Sequence, residues 1–237
     1  MAGHAQVPVQ SGQSVMPEDS PEKILFVGNS FTYYNDGLHK HYGNLLRAAN
    51  LHQPNRNKLR MMTYSGSGLW EHGAALRSAL TNDRWDAVVM HDYSNGPITQ
   101  WNRFVAASDT LGSIARAQGA VPLLLMTWAY AGQPEMTAQL AEAYTQRGKE
   151  LGARVIPVGL AFAAASEILD ADLYSPDLSR FENGAPVYEK IVKHPSMAGT
   201  YLAACTVFAT LTGRNPEGLV YAGGLDQLLF STNSPII

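Results

Sequence analysis

The stretch ILFVGNSFT, residues 24–32, decides the fold. Its first four residues are apolar, and the run is short and ends in a turn, as expected of a strand that is buried on both faces of a parallel sheet. The strand stops at Gly28, and Asn29 and Ser30 follow it. A small hydroxyl residue at this point either caps the next helix or is presented for chemistry.

Strand-like and helix-like segments alternate along the rest of the chain. Strands are predicted at residues 23–28, 58–64, 87–90, 121–128 and 153–159, and helices at 37–50, 69–80, 104–117, 136–152, 160–169 and 197–211. This alternation predicts a parallel sheet with helices on both faces. Ligands of such sheets bind beyond the carboxyl ends of the strands, so the loops that contain Ser30, Gly66 and Asn95 are expected at one edge.

The composition limits the classes of function. The 237 residues are 46% hydrophobic and 16% charged, which is enough apolar material for a substantial core. A net charge of −3 gives no electrostatic reason to predict a nucleic-acid partner. No apolar run approaches the roughly 20 residues that span a bilayer, and we predict no membrane association. The single cysteine, Cys205, excludes an intrachain disulfide and a cysteine metal cluster, and no metal is predicted.

The first 20 residues, MAGHAQVPVQSGQSVMPEDS, differ from the rest because they lack apolar periodicity. We predict a flexible leader over residues 1–20 and a single domain over residues 21–237. The leader has neither the basic nor the apolar region of an intact signal peptide. Two localisations stay open: the periplasm or the medium, with a signal peptide removed, or the cytoplasm.

Three groups of residues could together carry nucleophilic chemistry. A serine such as Ser30 needs a base to take its proton, and His194 is the best placed of seven histidines because it directly precedes a predicted helix. Gly66 and Asn95 could donate hydrogen bonds to an oxyanion. Each residue taken alone also has a structural explanation, as a helix cap, a structural histidine or a turn residue.

Four sequence blocks, taken in order, resemble the SGNH (GDSL-type) hydrolases, in a bacterial branch that opens with a GNSFT-like loop. The blocks are GNSFT, SGSG, DAVVMHDYSN and HPSMAGTYLAA. The resemblance implies a flavodoxin-like α/β/α sandwich with five parallel strands. It also implies that Ser30 is the nucleophile, that His194 is the base, and that Ser30, Gly66 and Asn95 form the oxyanion hole. The implied activity is hydrolysis of short acyl esters, often acetyl groups on carbohydrates, with no metal or organic cofactor.

The sequence departs from the family pattern at two positions. The family usually has an aspartate three residues before the histidine, and Ile191 stands there. Three explanations remain open: another carboxylate, with Glu189 and Asp177 nearest in sequence, a backbone carbonyl that orients His194, or weak or absent activity. The second departure is Tyr93, where the family usually has glycine.

The favoured hypothesis is a serine esterase that acts through an acyl-enzyme on a small-molecule or glycan ester. The alternative, motivated by Ile191, is a non-catalytic carbohydrate-binding protein on the same fold. Its sugar-stacking residues would be the aromatics near the predicted rim, Trp70, Tyr93, Trp101, Trp128 and Tyr130. A nucleotide or flavin binder of flavodoxin type is a third hypothesis.

Overall fold

The centre of the computed structural model is a five-stranded parallel sheet. The structure describes residues 20–169, 171–221 and 223, so nearly all of the predicted leader lies outside the described residues. The strands are β1 (Lys23–Gly28), β2 (Lys58–Thr63), β3 (Ala87–Met90), β4 (Val121–Leu125) and β5 (Arg154–Ile156). Their order is β2-β1-β3-β4-β5, and all four neighbouring pairs are parallel. The predicted α/β fold is confirmed.

Helices cover both faces of this sheet. They are α1 (Ser30–Tyr33), α2 (Leu38–Ala48), α3 (Gly73–Asn82), α4 (Gly96–Thr99), α5 (Trp101–Ala117), α6 (Met136–Leu151), α7 (Val158–Ile168) and α8 (Met197–Thr212). Successive residues of β1 alternate between the two cores: Leu25 packs with α3, α5 and α6, and Phe26 packs with α2, α7 and α8. The result is a three-layer sandwich. In the described part of the chain, no helix is both long enough and apolar enough to cross a membrane.

The helix predicted over residues 69–80 is divided in two. A short 3₁₀ turn, Leu69–Glu71, precedes α3, and two side chains fix that turn. Glu71 Oε1 accepts a hydrogen bond from the Gly68 N–H at 2.9 Å, and Asp92 Oδ1 accepts one from the Leu69 N–H at 2.8 Å. These bonds to polar side chains hold the turn against the loop after β3.

Strands β4 and β5 end earlier than predicted. Beyond β4, the Met126 carbonyl accepts a hydrogen bond from the Gly159 N–H at 3.2 Å, and the Thr127 hydroxyl donates to the Ser94 carbonyl at 2.9 Å. These partners lie in α7 and in the loop after β3. Strand β5 stops because Pro157 is the N-cap of α7.

A β-hairpin that the sequence reasoning did not predict lies outside the central sheet. Its antiparallel strands are β6 (Leu178–Glu182) and β7 (Ala185–Tyr188). The two turn residues, Asn183 and Gly184, have φ angles of 51° and 80°. Asn-Gly with both φ values positive is the preferred two-residue hairpin connection. All residues of the hairpin strands except Val187 are exposed.

The strand order reverses next to β1. Strand β2 lies on one side of β1 and β3 on the other, so the chain leaves the carboxyl ends of β1 and β3 in different directions. A crevice opens at such a switch point, and it is where ligands of this architecture bind. Ser30 lies two residues beyond the end of β1 and therefore at this crevice.

Candidate active site

Ser30 is the first residue of α1, and Asn29 caps that helix. The Asn29 Oδ1 atom accepts a hydrogen bond from the Phe31 N–H at 3.1 Å. Ser30 is 8% exposed, and Asn29 is 3% exposed. The cap therefore turns the chain sharply at the end of β1 and leaves only the edge of the Ser30 side chain accessible.

The other end of the Asn29 side chain joins the three rim loops. Its Nδ2 group donates to the carbonyl of Ser67 at 2.9 Å and to the carbonyl of Asp92 at 3.3 Å. The first carbonyl belongs to the loop after β2 and the second to the loop after β3. The sequence alone does not indicate these bonds of Asn29, because a spacing pattern does not show which carbonyls a buried amide meets.

His91 lies beneath the same loops and is buried. The Thr32 hydroxyl lies 2.7 Å from His91 Nε2, and the Asp92 carbonyl lies 2.9 Å from Nδ1. A carbonyl can only accept, so Nδ1 carries the proton and Nε2 accepts from Thr32. Burial lowers the pKa of His91 to about 4. Gly28 is required here, because a Cβ at that position would lie 2.2 Å from His91 Nε2.

His194 reaches Ser30 from the other side of the crevice. The distance from His194 Nε2 to Ser30 Oγ is 2.8 Å, although the two residues are 164 positions apart. Ser196 caps α8 by accepting a hydrogen bond from the Gly199 N–H at 3.1 Å, which fixes the segment that contains His194. The structure thus brings together the nucleophile and the base that the sequence predicts.

Asp177 occupies the other side of the imidazole. Its Oδ2 atom is in close contact with His194 Nδ1. Of the two carboxylates considered from sequence, the structure brings Asp177 to His194, whereas Glu189 is exposed and contributes only a backbone N–H to the Asp177 carbonyl, at 2.8 Å. With Nδ1–H donated to Asp177, Nε2 is free to accept the Ser30 proton.

Tyr34 supports both members of this pair, a role that sequence reasoning missed. Its ring stacks on the His194 imidazole with centroids 4.3 Å apart and planes 12° apart. Its hydroxyl donates to Asp177 Oδ1 at 3.0 Å. Burial, and then the hydrogen bond to Asp177, raise the pKa of Tyr34 to about 12, so the hydroxyl keeps its proton and stays a donor.

A small cavity of about 130 Å³ opens at Ser30. Gly66 lines it with φ of +66°, a left-handed conformation that favours glycine. Asn95 is not among the lining residues, and its neighbours Tyr93 and Ser94 are. The Asn95 carbonyl accepts hydrogen bonds from the first turn of α4, so the residue serves as the start of that helix.

A larger cleft of about 850 Å³ lies on the outer side of the Asp177–His194 pair. The hairpin β6–β7 forms its far wall, with Leu178 and Tyr188 among the lining side chains. The cavity and the cleft share Tyr34, Lys193 and His194. The site is therefore a narrow space beside Ser30 that adjoins a wide, open one.

Several solved structures resemble this chain in three dimensions. A protein from Slackia heliotrinireducens assigned to the SGNH hydrolases is 29% identical, with a TM-score of 0.61, over 79% of this chain and 97% of that one. A DUF4886 family protein from Bacteroides uniformis is 20% identical, with a TM-score of 0.65, over 84% and 86% of the two chains. A catalytic variant of an acetylxylan esterase from Geobacillus stearothermophilus is 17% identical, with a TM-score of 0.59, over 83% and 96%.

The chain has the SGNH hydrolase fold. No protein-family model matches the sequence, and no curated protein matches it. The resemblance therefore rests on the architecture and on the sequence blocks at the crevice. It supports a hydrolase.

At Ile191, where the sequence departs from the SGNH pattern, the structure shows that another residue supplies the acid beside the imidazole. Ile191 is 50% exposed and lines the outer cleft. The acid beside the imidazole is instead Asp177, 17 positions before His194, and the hairpin β6–β7 occupies the interval. Leu173 and Tyr174 lie beside the segment that contains His194. An isolated antiparallel β-bridge between Tyr174 and Pro195 joins the two segments. The two ends of the segment that contains the hairpin therefore stay close together.

The aromatic residues near the crevice divide between core and site. Tyr93 lines the small cavity. Trp128 is 1% exposed and stacks between Phe31, at 4.1 Å, and Phe162, at 4.4 Å. Its Nε1 donates to the Lys193 carbonyl at 2.9 Å, which anchors the His194 segment to the core. Trp128 is thus a core residue and not a sugar-stacking one.

Of the other histidines, His72 is also buried and contacts Ser67 Oγ through Nε2 at 3.0 Å. His41 Nε2 bonds to the Asn35 carbonyl at 2.6 Å, behind the site. Within the described ranges, no group of three or more His, Cys, Asp or Glu side chains is arranged to hold a metal ion.

Proposed function

We propose that this protein is a serine esterase that hydrolyses short-chain acyl esters, most simply acetyl esters of carbohydrates, through an acyl-enzyme. The observation that carries the proposal is the continuous chain of contacts from Ser30 Oγ to His194 Nε2 and from His194 Nδ1 to Asp177. Nucleophile, base and orienting acid in this order are what activation of a serine hydroxyl requires.

In the proposed reaction, Ser30 Oγ attacks the ester carbonyl carbon while His194 Nε2 takes the hydroxyl proton. The C–O bond to the alcohol then breaks, and His194 returns its proton to the leaving oxygen. Water then attacks the acyl carbon while His194 takes its proton, the bond from that carbon to Ser30 Oγ breaks, and His194 returns the proton to Oγ as the acid leaves. Asp177 stabilises the charged imidazole in each step, and Tyr34 holds Asp177 in place through its hydroxyl.

Two backbone N–H groups, those of Ser30 and Gly66, are proposed to stabilise the oxyanion. We leave the predicted third donor, the Asn95 amide, out of the proposal because Asn95 does not line the cavity. The variant Asn95→Ala tests this choice. A loss of about a hundredfold or more in kcat, the size found when one oxyanion donor is removed, would restore Asn95 to the site.

The size of the cavity supports a short acyl group. Its volume of about 130 Å³ equals the liquid volume of about four water molecules. An acetyl group fits this space, whereas a long chain would have to extend into the adjoining cleft. The acetylxylan esterase among the structural neighbours acts on an acetylated glycan, and the open cleft beside the cavity leaves room for a sugar here.

The decisive experiment combines chemical labelling with turnover. A fluorophosphonate should label the Ser30 peptide, as read by mass spectrometry, and His194→Ala should abolish the label. Ser30→Ala should lower p-nitrophenyl acetate hydrolysis by at least about a thousandfold while the melting temperature changes little. Unchanged turnover in Ser30→Ala would remove the nucleophile assignment.

The non-catalytic alternative loses its motivation, since it was based on the missing acid before His194 and Asp177 now contacts that histidine. The same experiment also tests this alternative. Binding of acetylated glycans without turnover, and without labelling of Ser30, would favour it.

A further inference from the structure

Lys193 places a cation between the cavity at Ser30 and the outer cleft, and it lines both. Its backbone is fixed, because its carbonyl accepts from Trp128 Nε1 at 2.9 Å and the preceding Val192 carbonyl accepts from the Ala131 N–H at 2.9 Å. Its Nζ atom lies 3.5 Å from the Tyr93 hydroxyl and 5.5 Å from the centre of the Tyr93 ring. The ammonium group is therefore held above the loop that follows β3.

No carboxylate among the described residues forms a salt bridge with Lys193. Of the two acids that line the cleft with Lys193, Asp177 is already engaged by His194 and Tyr34. The aromatic rings of Tyr93 and Tyr130 face the ammonium, but a ring attracts a cation without neutralising its charge. A half-buried and unpaired cation beside a nucleophile is ready to bind an anion.

The outer cleft carries further positive charge. Arg180 and Lys190 line it, and Glu189 is the acid there that is not bound to His194. Arg180 has only a long contact of 3.4 Å with Glu182, and both side chains are 60% exposed, so this pair is weak. Arg180 and Lys190 line the cleft and not the small cavity, so the cations other than Lys193 lie on the side proposed for the leaving group, where Asp177 and Glu189 are the acids.

We propose that the alcohol portion of the substrate carries a carboxylate, as in an acetylated sugar acid, and that Lys193 binds it with support from Arg180. This inference depends on the proposed esterase function. The acetyl group would occupy the cavity at Ser30, and the sugar acid would lie in the cleft formed by hairpin β6–β7. The ring of Tyr188, which is 51% exposed there, offers a face for the sugar.

The test compares two esters that differ only in the charged group: an acetylated methyl glucuronide and the equally acetylated methyl glucoside. We expect wild-type kcat/KM to be about five- to tenfold higher for the glucuronide, mainly through KM, at about 20 mM salt. Added salt of about 500 mM should reduce this preference. Lys193→Met should bring the ratio of the two kcat/KM values close to one, and Lys193→Arg should retain most of it.

A matched control is Lys149→Met, which removes an exposed lysine of α6 and should leave the ratio unchanged. A further arm places the carboxylate on the acyl side, in p-nitrophenyl succinate compared with p-nitrophenyl acetate. A Lys193-dependent preference for the succinate alone would overturn the assignment of the anion to the cleft.

The two proposals fail in different ways. Equal hydrolysis of glucuronide and glucoside by the wild type, with Ser30 labelled normally, would overturn the anion site and leave the esterase intact. Failure to hydrolyse any ester, together with no labelling of Ser30, would overturn both.

Discussion

Ser30 and Asp177 stand at the two ends of one chain of contacts, but they are supported by different parts of the molecule. Ser30 follows a strand whose residues from Ile24 to Val27 are at most 3% exposed, and the buried Asn29 ties it to two other loops. Asp177 directly precedes a hairpin that is almost entirely exposed. The core positions Ser30, whereas a surface segment positions Asp177. Stability and catalysis should therefore respond differently to substitutions in the two regions.

The largest effect on activity is expected from a substitution of Asp177, in the exposed segment. Asp177→Asn should lower kcat/KM for p-nitrophenyl acetate by about 10³- to 10⁴-fold, because an amide cannot stabilise the charged imidazole or hold its tautomer. The melting temperature should change little, since asparagine keeps the shape of the side chain and an oxygen that can accept from Tyr34, and Asp177 belongs to the surface segment. Steady-state kinetics and a thermal melt on the same preparation check both parts.

The matched control for the acid is Glu189→Gln, which should keep nearly full activity because Glu189 gives Asp177 only a backbone N–H. Adding Ile191→Asp to the Asp177→Asn variant should not restore turnover, because Ile191 is half exposed and the imidazole Nδ1 faces the hairpin side. Recovery in that double variant would mean that the family position can still supply the acid.

At the core end, Asn29→Asp should lower the free energy of unfolding by about 2–4 kcal/mol. The substitution keeps an acceptor for the Phe31 N–H but sets a carboxylate oxygen against the carbonyls of Ser67 and Asp92. Urea denaturation measures the change. The same isosteric change in Asn95→Asp, at the start of α4, should stay within about 0.5 kcal/mol. Similar losses in both variants would show that the hydrogen bonds from Asn29 to the two carbonyls do not give it a larger effect on stability than Asn95.

Lowering the pH should reduce the free energy of unfolding through protonation of His91. Its pKa is about 4 in the folded protein and near 6.5 in an unfolded chain, so the unfolded state binds more protons between these values. The stability that His91 contributes in its neutral form is therefore lost as the pH falls from about 6.5 towards 4. The loss is about 2–3 kcal/mol by pH 4.5.

The check for His91 is the difference in unfolding free energy between pH 7 and pH 4.5, measured by urea titration. The wild type should lose more stability over this interval than His91→Gln, because glutamine has no proton to take up. Parallel curves for the two proteins would show that the acid sensitivity comes from other groups.

The smallest effect is expected on the hairpin itself. Phe181 is 66% exposed, and Phe181→Ser should change the free energy of unfolding by no more than about 0.5 kcal/mol. Chemical denaturation of this variant gives the limit. A loss above about 2 kcal/mol would show that the exposed face of the hairpin packs against something, and the contrast between the two regions would fail.

The sequence predicted the sheet well because its strands are short apolar runs that end in clear turns. Residues 23–28 and 87–90 were predicted as strands, and the structure has strands with the same bounds. It also predicted that Ser30 and His194 would meet, through the residue blocks rather than through any local signal. What periodicity cannot give is the partner of a buried polar group, so the links that Asn29 and Tyr34 make were not foreseen.

Two details at the rim depended on tertiary structure. Asp177 and Glu189 could not be separated by sequence distance, because the hairpin folds back and brings the more distant residue to the imidazole. The Asn183–Gly184 pair was a signal for that hairpin and was overlooked. Asn95 and Ser94 are adjacent, and the fold places Ser94 rather than Asn95 in the lining of the cavity, which sequence spacing does not show.

The stack formed by Phe31, Trp128 and Phe162 has an optical consequence. The indole of Trp128 is sealed from water, touches the residue after Ser30, and is hydrogen-bonded to the residue before His194. Its fluorescence should be blue-shifted, and its emission should respond to movement of either arm of the crevice. A variant in which Trp70, Trp85 and Trp101 are replaced would therefore report whether those arms are held together, without any attached dye.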